Sequence, residues 1–165
     1  GYTEEFNLTN LEINLTKWLN GETIITDNTK VIYTPKVSLK DSENIVENEW
    51  CKETKETDEI TLECNDENKV ISKVGTLTLD EIIYAGSSIE GTNYRYYLKN
   101  NAESEYMTYT KRQETEQIKI VYVKNNGGIE INNEKMTGIR PSIVISSEVL
   151  YATGDGTIDN PYVIY

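Results

Sequence analysis

The chain has 165 residues and a formal net charge of −12, with 28 acidic residues, 16 basic residues and no histidine. The lack of histidine excludes Ser-His-Asp and Cys-His catalytic machinery and every His-ligated zinc or iron site. The acidity argues against nucleic acid and anionic membranes as partners, because phosphates are bound by clustered Lys and Arg.

A first helix is predicted over residues 10–20. Thr9 and Glu12 have the spacing of a capping box, in which the two side chains satisfy free backbone amides at a helix start. Gly21 is a suitable C-terminal stop. Apolar residues recur at helical spacing and form one face, more typical of a core than of a binding surface: Leu11, Leu15, Trp18 and Leu19.

The next part of the chain is predicted to form short strands separated by polar sequence. We expect strands at Ile24–Ile25, Val31–Tyr33, Ile60–Leu62 and Val70–Ile71. Residues 41–58 are mostly charged or polar, and their composition predicts an exposed excursion.

Cys51 and Cys64 lie 13 positions apart in very polar sequence. Buried free thiols usually have apolar neighbours, so the context and the even count favour a disulfide and an oxidising compartment. Such a bridge would stabilise the fold by about 3 kcal/mol in the chain-entropy model. A redox-active or metal-binding pair is the alternative, and neither CxxC spacing nor histidine supports it.

A second helix is predicted over residues 79–85. Thr78 and Glu81 form another capping box, and Gly86 ends the helix. After it the chain becomes β-rich, and Asn126-Gly127 gives a strong hairpin signal because both residues tolerate positive φ. The expected strands are Tyr94–Leu98, Tyr106–Thr110, Ile118–Val123, Ile129–Ile131, Ile143–Ile145 and Tyr162–Ile164. Of these, Ile143–Ile145 is expected to be buried, and Tyr162–Ile164 is expected to close the sheet at the C-terminus.

Several stretches in order resemble the C-terminal module of many secreted, surface and pilin-like proteins of AT-rich Firmicutes: Val74–Gly86, Tyr106–Thr108, Gly138–Pro141, Gly154–Thr157 and Asn160–Ile164. The clear match covers residues 74–165. Residues 1–73 fit the layout more loosely, with a Trp-bearing helix followed by a Cys pair. No linker or repeat divides the chain, so residues 1–165 are expected to form a single domain.

The resemblance implies a C-type-lectin-like fold, shared with formylglycine-generating enzymes, and an extracellular or cell-surface setting. It predicts an α+β class with two short helices packed on small mixed or antiparallel sheets and a β-rich C-terminal half. The chain departs from the family at residues 107–111, where the family usually has a Trp-Thr-x-Ser-Pro segment. It also has no match to the catalytic cysteine of the enzymes.

Tyrosines are the first candidate ligand-binding residues, because their rings could form a platform for stacking sugars. Alternation along a strand places roughly half of them in the core instead. The candidates are Tyr94, Tyr96, Tyr97, Tyr106 and Tyr109.

Charged residues give two further sites. Arg140 is predicted to be largely buried and paired with Asp80 or Glu81, since a buried guanidinium needs a partner; its alternative role is to grip an anionic ligand. As a catalytic dyad, Asp80 and Glu81 are disfavoured, because carboxylates are common in a first helical turn. A second group of oxygen ligands is either a calcium site or a Gly-Asp-Gly turn, which is the favoured interpretation: Asp155, Asp159 and Asn160.

Three functional hypotheses follow. The first is a non-catalytic extracellular or cell-surface binding or adhesion module, with a carbohydrate or protein ligand. The second is the globular head of a pilin-like structural subunit, which would self-assemble. A carboxylate- or metal-dependent enzyme ranks last. We therefore expect no enzymatic activity, no cofactor unless calcium binds, and no contact with nucleic acid or membrane.

Overall fold

The computed structural model describes residues 4–25, 31–87, 105–114, 117–132, 138–155, 157 and 159–164. A single 3₁₀ turn spans Asp66–Asn68. The helices and strands are α1 (Glu4–Asn20), β1 (Ile24–Ile25), β2 (Val31–Tyr33), β3 (Ile45–Val46), β4 (Asn48–Cys51), β5 (Thr54–Lys55), β6 (Lys69–Ser72), β7 (Val74–Gly75), α2 (Leu79–Tyr84), β8 (Tyr106–Glu114), β9 (Gln117–Val123), β10 (Ile129–Asn132), β11 (Ser142–Ile145), β12 (Tyr151–Thr153) and β13 (Val163–Ile164). The predicted α+β class with a β-rich body is confirmed.

A four-stranded sheet with the order β10-β9-β8-β5 lies at the centre. Its pairs are antiparallel except for β5 with β8, which run parallel, so the sheet is mixed. The predicted hairpin at Asn126-Gly127 is confirmed. Gly127 has φ 79°, and the Asn126 side chain accepts a hydrogen bond from the Gly128 amide at 2.9 Å.

The central sheet is buried on both faces because one helix packs against each. Successive residues of a strand point to opposite faces, and β9 divides accordingly. Ile120 and Tyr122 belong to the core cluster that contains the buried leucines of α1. Val121 and Val123 belong to a second cluster, with Ile82 of α2. The short helices thus cover the sheet from both sides.

The Tyr122 hydroxyl is buried, and within the described part of the chain it has no hydrogen-bond partner. Burial raises the pKa of Tyr122 to about 12. Replacing Tyr122 with Phe should leave stability at neutral pH equal to or about 1 kcal/mol above that of the wild type, because an unsatisfied buried hydroxyl is removed.

The same variant should differ more at alkaline pH. The unfolded chain loses the Tyr122 proton near pH 10 and the fold near pH 12, so the stability of the wild type falls as the pH rises through this window. Urea unfolding across that window should therefore show a flatter pH profile for Tyr122→Phe. Tyr84→Phe, at an exposed position on α2, is the matched control. Identical profiles for both variants would contradict the prediction.

Smaller sheets surround the centre. The three-stranded sheet has the order β3-β11-β7, and the pairs β1-β2, β4-β6 and β12-β13 are separate two-stranded sheets. Trp50 of β4 is buried, and its indole nitrogen donates a hydrogen bond to the Ser72 carbonyl at 2.8 Å. The indole packs against the backbone of Gly75, where a Cβ atom would lie 2.2 Å from a ring carbon.

Gly75→Ala should therefore destabilise the protein by about 1–3 kcal/mol, because the added methyl group forces Trp50 out of its packed position. The free energy of urea unfolding would measure the loss. In a Trp50→Leu background the same substitution should cost much less, since the clashing ring is absent. An equal cost in both backgrounds would show that the Trp50 contact is not its origin.

The first helix differs from the prediction at its start. It begins at Glu4 rather than at residue 10, so Thr9 lies inside the helix and the capping box with Glu12 is wrong. Residues 4–9 contain neither Gly nor Pro to stop the helix. At the other end Gly21 has φ 74°, which confirms the C-terminal stop.

The prediction of an exposed excursion over residues 41–58 is wrong. This stretch contains β3, β4 and β5, and three of its side chains, Ile45, Trp50 and Lys55, are buried. Pairing with β6, β8 and β11 holds it, and such distant pairing leaves no mark on local composition. The expected strand at Ile60–Leu62 is also absent, because the Thr61 amide donates to the Asp80 side chain instead of to a neighbouring strand.

Two C-terminal strands also differ in their setting. Ile143–Ile145 lies in β11, which is half-buried rather than buried. Within the described ranges, the last strand pairs with β12 and not with the main sheet. The expected strand at Tyr94–Leu98 lies outside the described residues. The capping box of α2 and the Cys51–Cys64 disulfide are confirmed.

Candidate functional site

Two of the five candidate platform tyrosines lie in the described part of the chain, and neither is available to a ligand. Tyr106 and Tyr109 are both buried, in the two core clusters on opposite faces of the sheet. Alternation was expected to place roughly half of the five candidate rings in the core, and these two lie there because a helix covers each face. The remaining candidates, Tyr94, Tyr96 and Tyr97, lie outside the described residues.

An exposed apolar surface lies instead on the C-terminal strand pair. We call it the tyrosine surface, and it consists of Leu150, Tyr151, Tyr162 and Val163. Tyr151 and Tyr162 are 68% and 60% exposed. Their rings meet edge to face, with centroids 5.7 Å apart and an interplanar angle of 71°. The surface therefore presents two aromatic rings in contact with one another, with Leu150 and Val163 as their exposed neighbours in the sequence.

A tight turn holds this surface in place. The Asp155 carboxylate accepts hydrogen bonds from the Thr157 amide at 3.0 Å and from its hydroxyl at 2.7 Å. These bonds from Thr157 hold the pKa of Asp155 below its usual range. The Asp155 amide in turn donates to the Asn160 carbonyl. Gly154 has φ 107°, and a Cβ there would lie 2.2 Å from the Pro161 carbonyl oxygen.

This geometry fits the turn interpretation of Asp155, Asp159 and Asn160, since the Asp155 carboxylate already serves the backbone of the turn. In the described residues, no group of three or more acidic or cysteine side chains is arranged to hold a metal ion. Calcium binding at this turn stays a prediction.

Arg140 is half-buried, and its guanidinium lies over the Tyr106 ring, 5.3 Å from the centroid. The two acids expected to pair with it are engaged elsewhere. Asp80 pairs with Lys55, and Glu81 closes the capping box of α2. The cation–π contact on Tyr106 is a favourable setting for a half-buried guanidinium.

A second feature is a polar cavity of about 410 Å³ beside the disulfide. Its lining is rich in carboxylates: Glu53, Glu56, Glu59 and Glu63. Cys51 and Cys64 form part of its wall, so the bridge fixes the loop that encloses it. Lys55 contributes the cation of the lining.

The Lys55 ammonium bonds to a buried acid, Asp80, whose side chain is 1% exposed. Lys55 also donates to the Glu59 carbonyl at 2.5 Å. The Thr61 amide donates to Oδ2 of Asp80 at 2.8 Å. Within the described part of the chain, Oδ1 of Asp80 is buried and has no hydrogen-bond partner.

Glu53 lies beside this pair. Its carboxylate accepts a hydrogen bond from the Thr110 hydroxyl at 3.0 Å, and the same hydroxyl accepts one from the Leu79 amide at 2.8 Å. Burial raises the pKa of Glu53; Thr110 opposes the shift, and the charges of Asp80 and Lys55 act in opposite directions. Glu53, Lys55 and Asp80 therefore form one electrostatic cluster that joins β5 to α2.

Comparison with known proteins adds no identity, because no protein-family model, no curated protein and no solved structure matches the chain. The resemblance to the C-type-lectin-like module therefore stays a prediction. In the residues described, no helix combines the length and apolar character needed to cross a bilayer.

Neither the tyrosine surface nor the buried pair of Lys55 and Asp80 was predicted from the sequence. Leu150 and Tyr151 carry no motif, and their exposure reflects the pairing of β12 with β13 in a separate two-stranded sheet. The pairing of Lys55 with Asp80 spans 25 positions. One signal was present in the sequence, because an acid in the first turn of an apolar helix is a candidate for burial with a distant cation.

Proposed function

We propose that the chain is a non-catalytic binding module, active outside the cell, that holds a carbohydrate against the tyrosine surface. The observation that carries the proposal is the exposed edge-to-face pair of Tyr151 and Tyr162. An aromatic face packs well against the C–H face of a sugar ring, while the phenolic hydroxyls remain free to bond sugar hydroxyls.

The placement of the surface supports a binding role. A two-stranded sheet alone is marginally stable in water, and every described side chain of β12 and β13 is exposed. The tyrosine surface thus contributes little to the core. Its apolar groups instead lie next to a turn whose internal hydrogen bonds fix the strand ends. Large apolar side chains exposed together on one strand pair are typical of an interaction site.

The net charge and the disulfide limit which class of ligand and which cellular compartment fit the proposal. With a net charge of −12, the chain repels sialylated and sulfated glycans over a Debye length of about 8 Å at physiological salt. Neutral sugars and amino sugars are therefore the expected ligands. The Cys51–Cys64 bridge requires an oxidising compartment, which supports an extracellular or cell-surface setting.

A glycan-array screen of the purified domain, run with calcium and with chelator, tests the proposal. We expect binding to neutral or amino-sugar glycans. Replacing Tyr151 or Tyr162 with Ala should weaken it about tenfold or more, since an aromatic stacking contact contributes about 1–3 kcal/mol. Tyr84→Ala, which removes an exposed tyrosine on α2, should bind as the wild type does.

The outcomes separate the alternatives. Loss of binding under chelator would assign Asp155 and Asp159 as calcium ligands. Binding that survives both tyrosine substitutions would overturn the tyrosine surface as the site. A blank array with a folded sample would contradict the carbohydrate proposal. In that case a protein ligand, or self-assembly as the head of a pilin-like subunit, would take its place.

A further inference from the structure

Lys55 and Asp80 differ from the other acid–lysine pairs of the described structure in their burial. Their side chains are 8% and 1% exposed. In the pairs Lys52–Glu12, Lys69–Asp66 and Lys119–Glu114, every side chain is at least 28% exposed. Burial of two opposite charges costs several kcal/mol per ion even after relaxation. Ordinary ion pairing therefore does not explain why Lys55 and Asp80 are buried.

The hydrogen bonds around Asp80 are also unequal. Its Oδ2 accepts from both Lys55 and the Thr61 amide, whereas no group of the described chain donates to its buried Oδ1. An ionised carboxylate with one unsatisfied oxygen is unfavourable in such a site. A reaction that removed Oδ1 and neutralised both charges would remove the cost of burying the charges and the cost of leaving this oxygen unsatisfied.

We propose that Lys55 and Asp80 are joined by a covalent amide bond between Nζ of Lys55 and Cγ of Asp80. The linkage would connect β5 to the start of α2, across 25 positions of the chain. It is independent of the carbohydrate proposal, because neither residue belongs to the tyrosine surface.

The bond forms by condensation. The Lys55 ammonium gives one proton to the Asp80 carboxylate, which leaves a neutral amine and a neutral carboxylic acid. The amine lone pair attacks Cγ, and the N–C bond forms. The nitrogen passes a second proton to Oδ1, the Cγ–Oδ1 bond breaks, and Oδ1 leaves as water. An ammonium and a carboxylate thus become a secondary amide and one water molecule, with atoms and charge balanced and no oxidant or reductant.

Neighbouring groups match the needs of this reaction. The Thr61 amide already donates to Oδ2, where negative charge develops when nitrogen attacks, and a preformed donor at that position stabilises the intermediate. Glu53 is assigned as the proton carrier between the nitrogen and Oδ1, because it lines the same cavity as Lys55 and is linked through the Thr110 hydroxyl to the Leu79 amide, next to Asp80. Its carboxyl is coupled electrostatically to both partners, and its raised pKa suits a group that must take up and return a proton.

Intact-mass spectrometry of the reduced full chain tests the linkage. We expect the wild type to be lighter than its sequence mass by one water molecule. After reduction, alkylation and proteolysis, a branched peptide should contain both Lys55 and Asp80. Lys55→Arg keeps the cation but cannot form this amide, and should show the full mass. Glu53→Gln, confirmed as folded by circular dichroism, should also show the full mass or a slower loss of water.

Two controls make the result decisive. Lys52→Arg alters an exposed pair and should keep the loss of water. The Asp155-Gly156 sequence can lose water by cyclising to a succinimide, and that loss would persist in Lys55→Arg. A wild-type chain of full mass, or a loss of water that persists in Lys55→Arg, would overturn the proposal and leave an ion pair only. Unchanged water loss in Glu53→Gln would overturn the role of Glu53.

Discussion

Replacement of Lys55 by Met should destabilise the protein by at least about 3–5 kcal/mol, the usual cost of leaving one partner of a buried ion pair uncompensated. Asp80 is 1% exposed, so in the variant water cannot stabilise its lone carboxylate. The substitution also removes the bond to the Glu59 carbonyl, which ties down the loop over the polar cavity. The free energy of urea unfolding at neutral pH measures the effect.

Lys52→Met is the matched control. Lys52 pairs with Glu12 at 2.7 Å, but the two side chains are 29% and 35% exposed. Exposed pairs of this kind contribute about 0–1 kcal/mol, so the control should remain near the wild type. The difference between the two variants isolates burial, because both lose one lysine charge and gain the same side chain. Equal losses would show that the Lys55 site is open to water.

The parts of the fold that the sequence predicted well are those encoded within a few residues. The capping box of Thr78 and Glu81, the hairpin at Asn126-Gly127 and the stop at Gly21 all have the predicted geometry. Each signal is short-ranged, because a cap or a tight turn is stabilised by atoms of its own segment. The disulfide was also predictable, from the polar context of its cysteines.

The parts that failed depend on contacts between distant segments. Trp50 is buried because it meets Gly75, and Lys55 because it meets Asp80. Nothing in the polar residues 41–58 reveals either contact. The start of α1 failed for a different reason, since a capping box marks a helix start only where the upstream residues do not themselves continue the helix.

For the candidate site, the sequence predicted the type of residue but not its positions. Tyrosines were expected to supply the ligand surface, but Tyr106 and Tyr109 lie under α1 and α2. Tyr151 and Tyr162 lie on a strand pair that stays exposed among the described residues. The composition of the chain shows only that tyrosines are abundant. Which of them reach solvent is decided by how the helices cover the central sheet, and that is a property of the assembled fold.

Removal of the disulfide is the second large expected effect. The double variant Cys51→Ala/Cys64→Ala should lose about 3 kcal/mol of unfolding free energy, because the bridge closes a short loop and so restricts the unfolded chain. The two cysteines are 13 positions apart, with Cα atoms separated by 5.8 Å. Urea unfolding should also become steeper with denaturant, since the unfolded chain without the bridge exposes more surface.

Other contacts should keep the loop in place when the bridge is absent. Lys55 bonds the Glu59 carbonyl, Thr61 bonds Asp80, and Arg112 bonds both the Thr57 carbonyl and the Asp58 carboxylate. The variant should therefore remain folded at neutral pH, with near-native circular dichroism. Reduction of the wild type should reproduce its stability. A variant that loses its secondary structure would contradict this expectation and make the bridge a condition of folding, because the remaining contacts would then be too weak to order the loop.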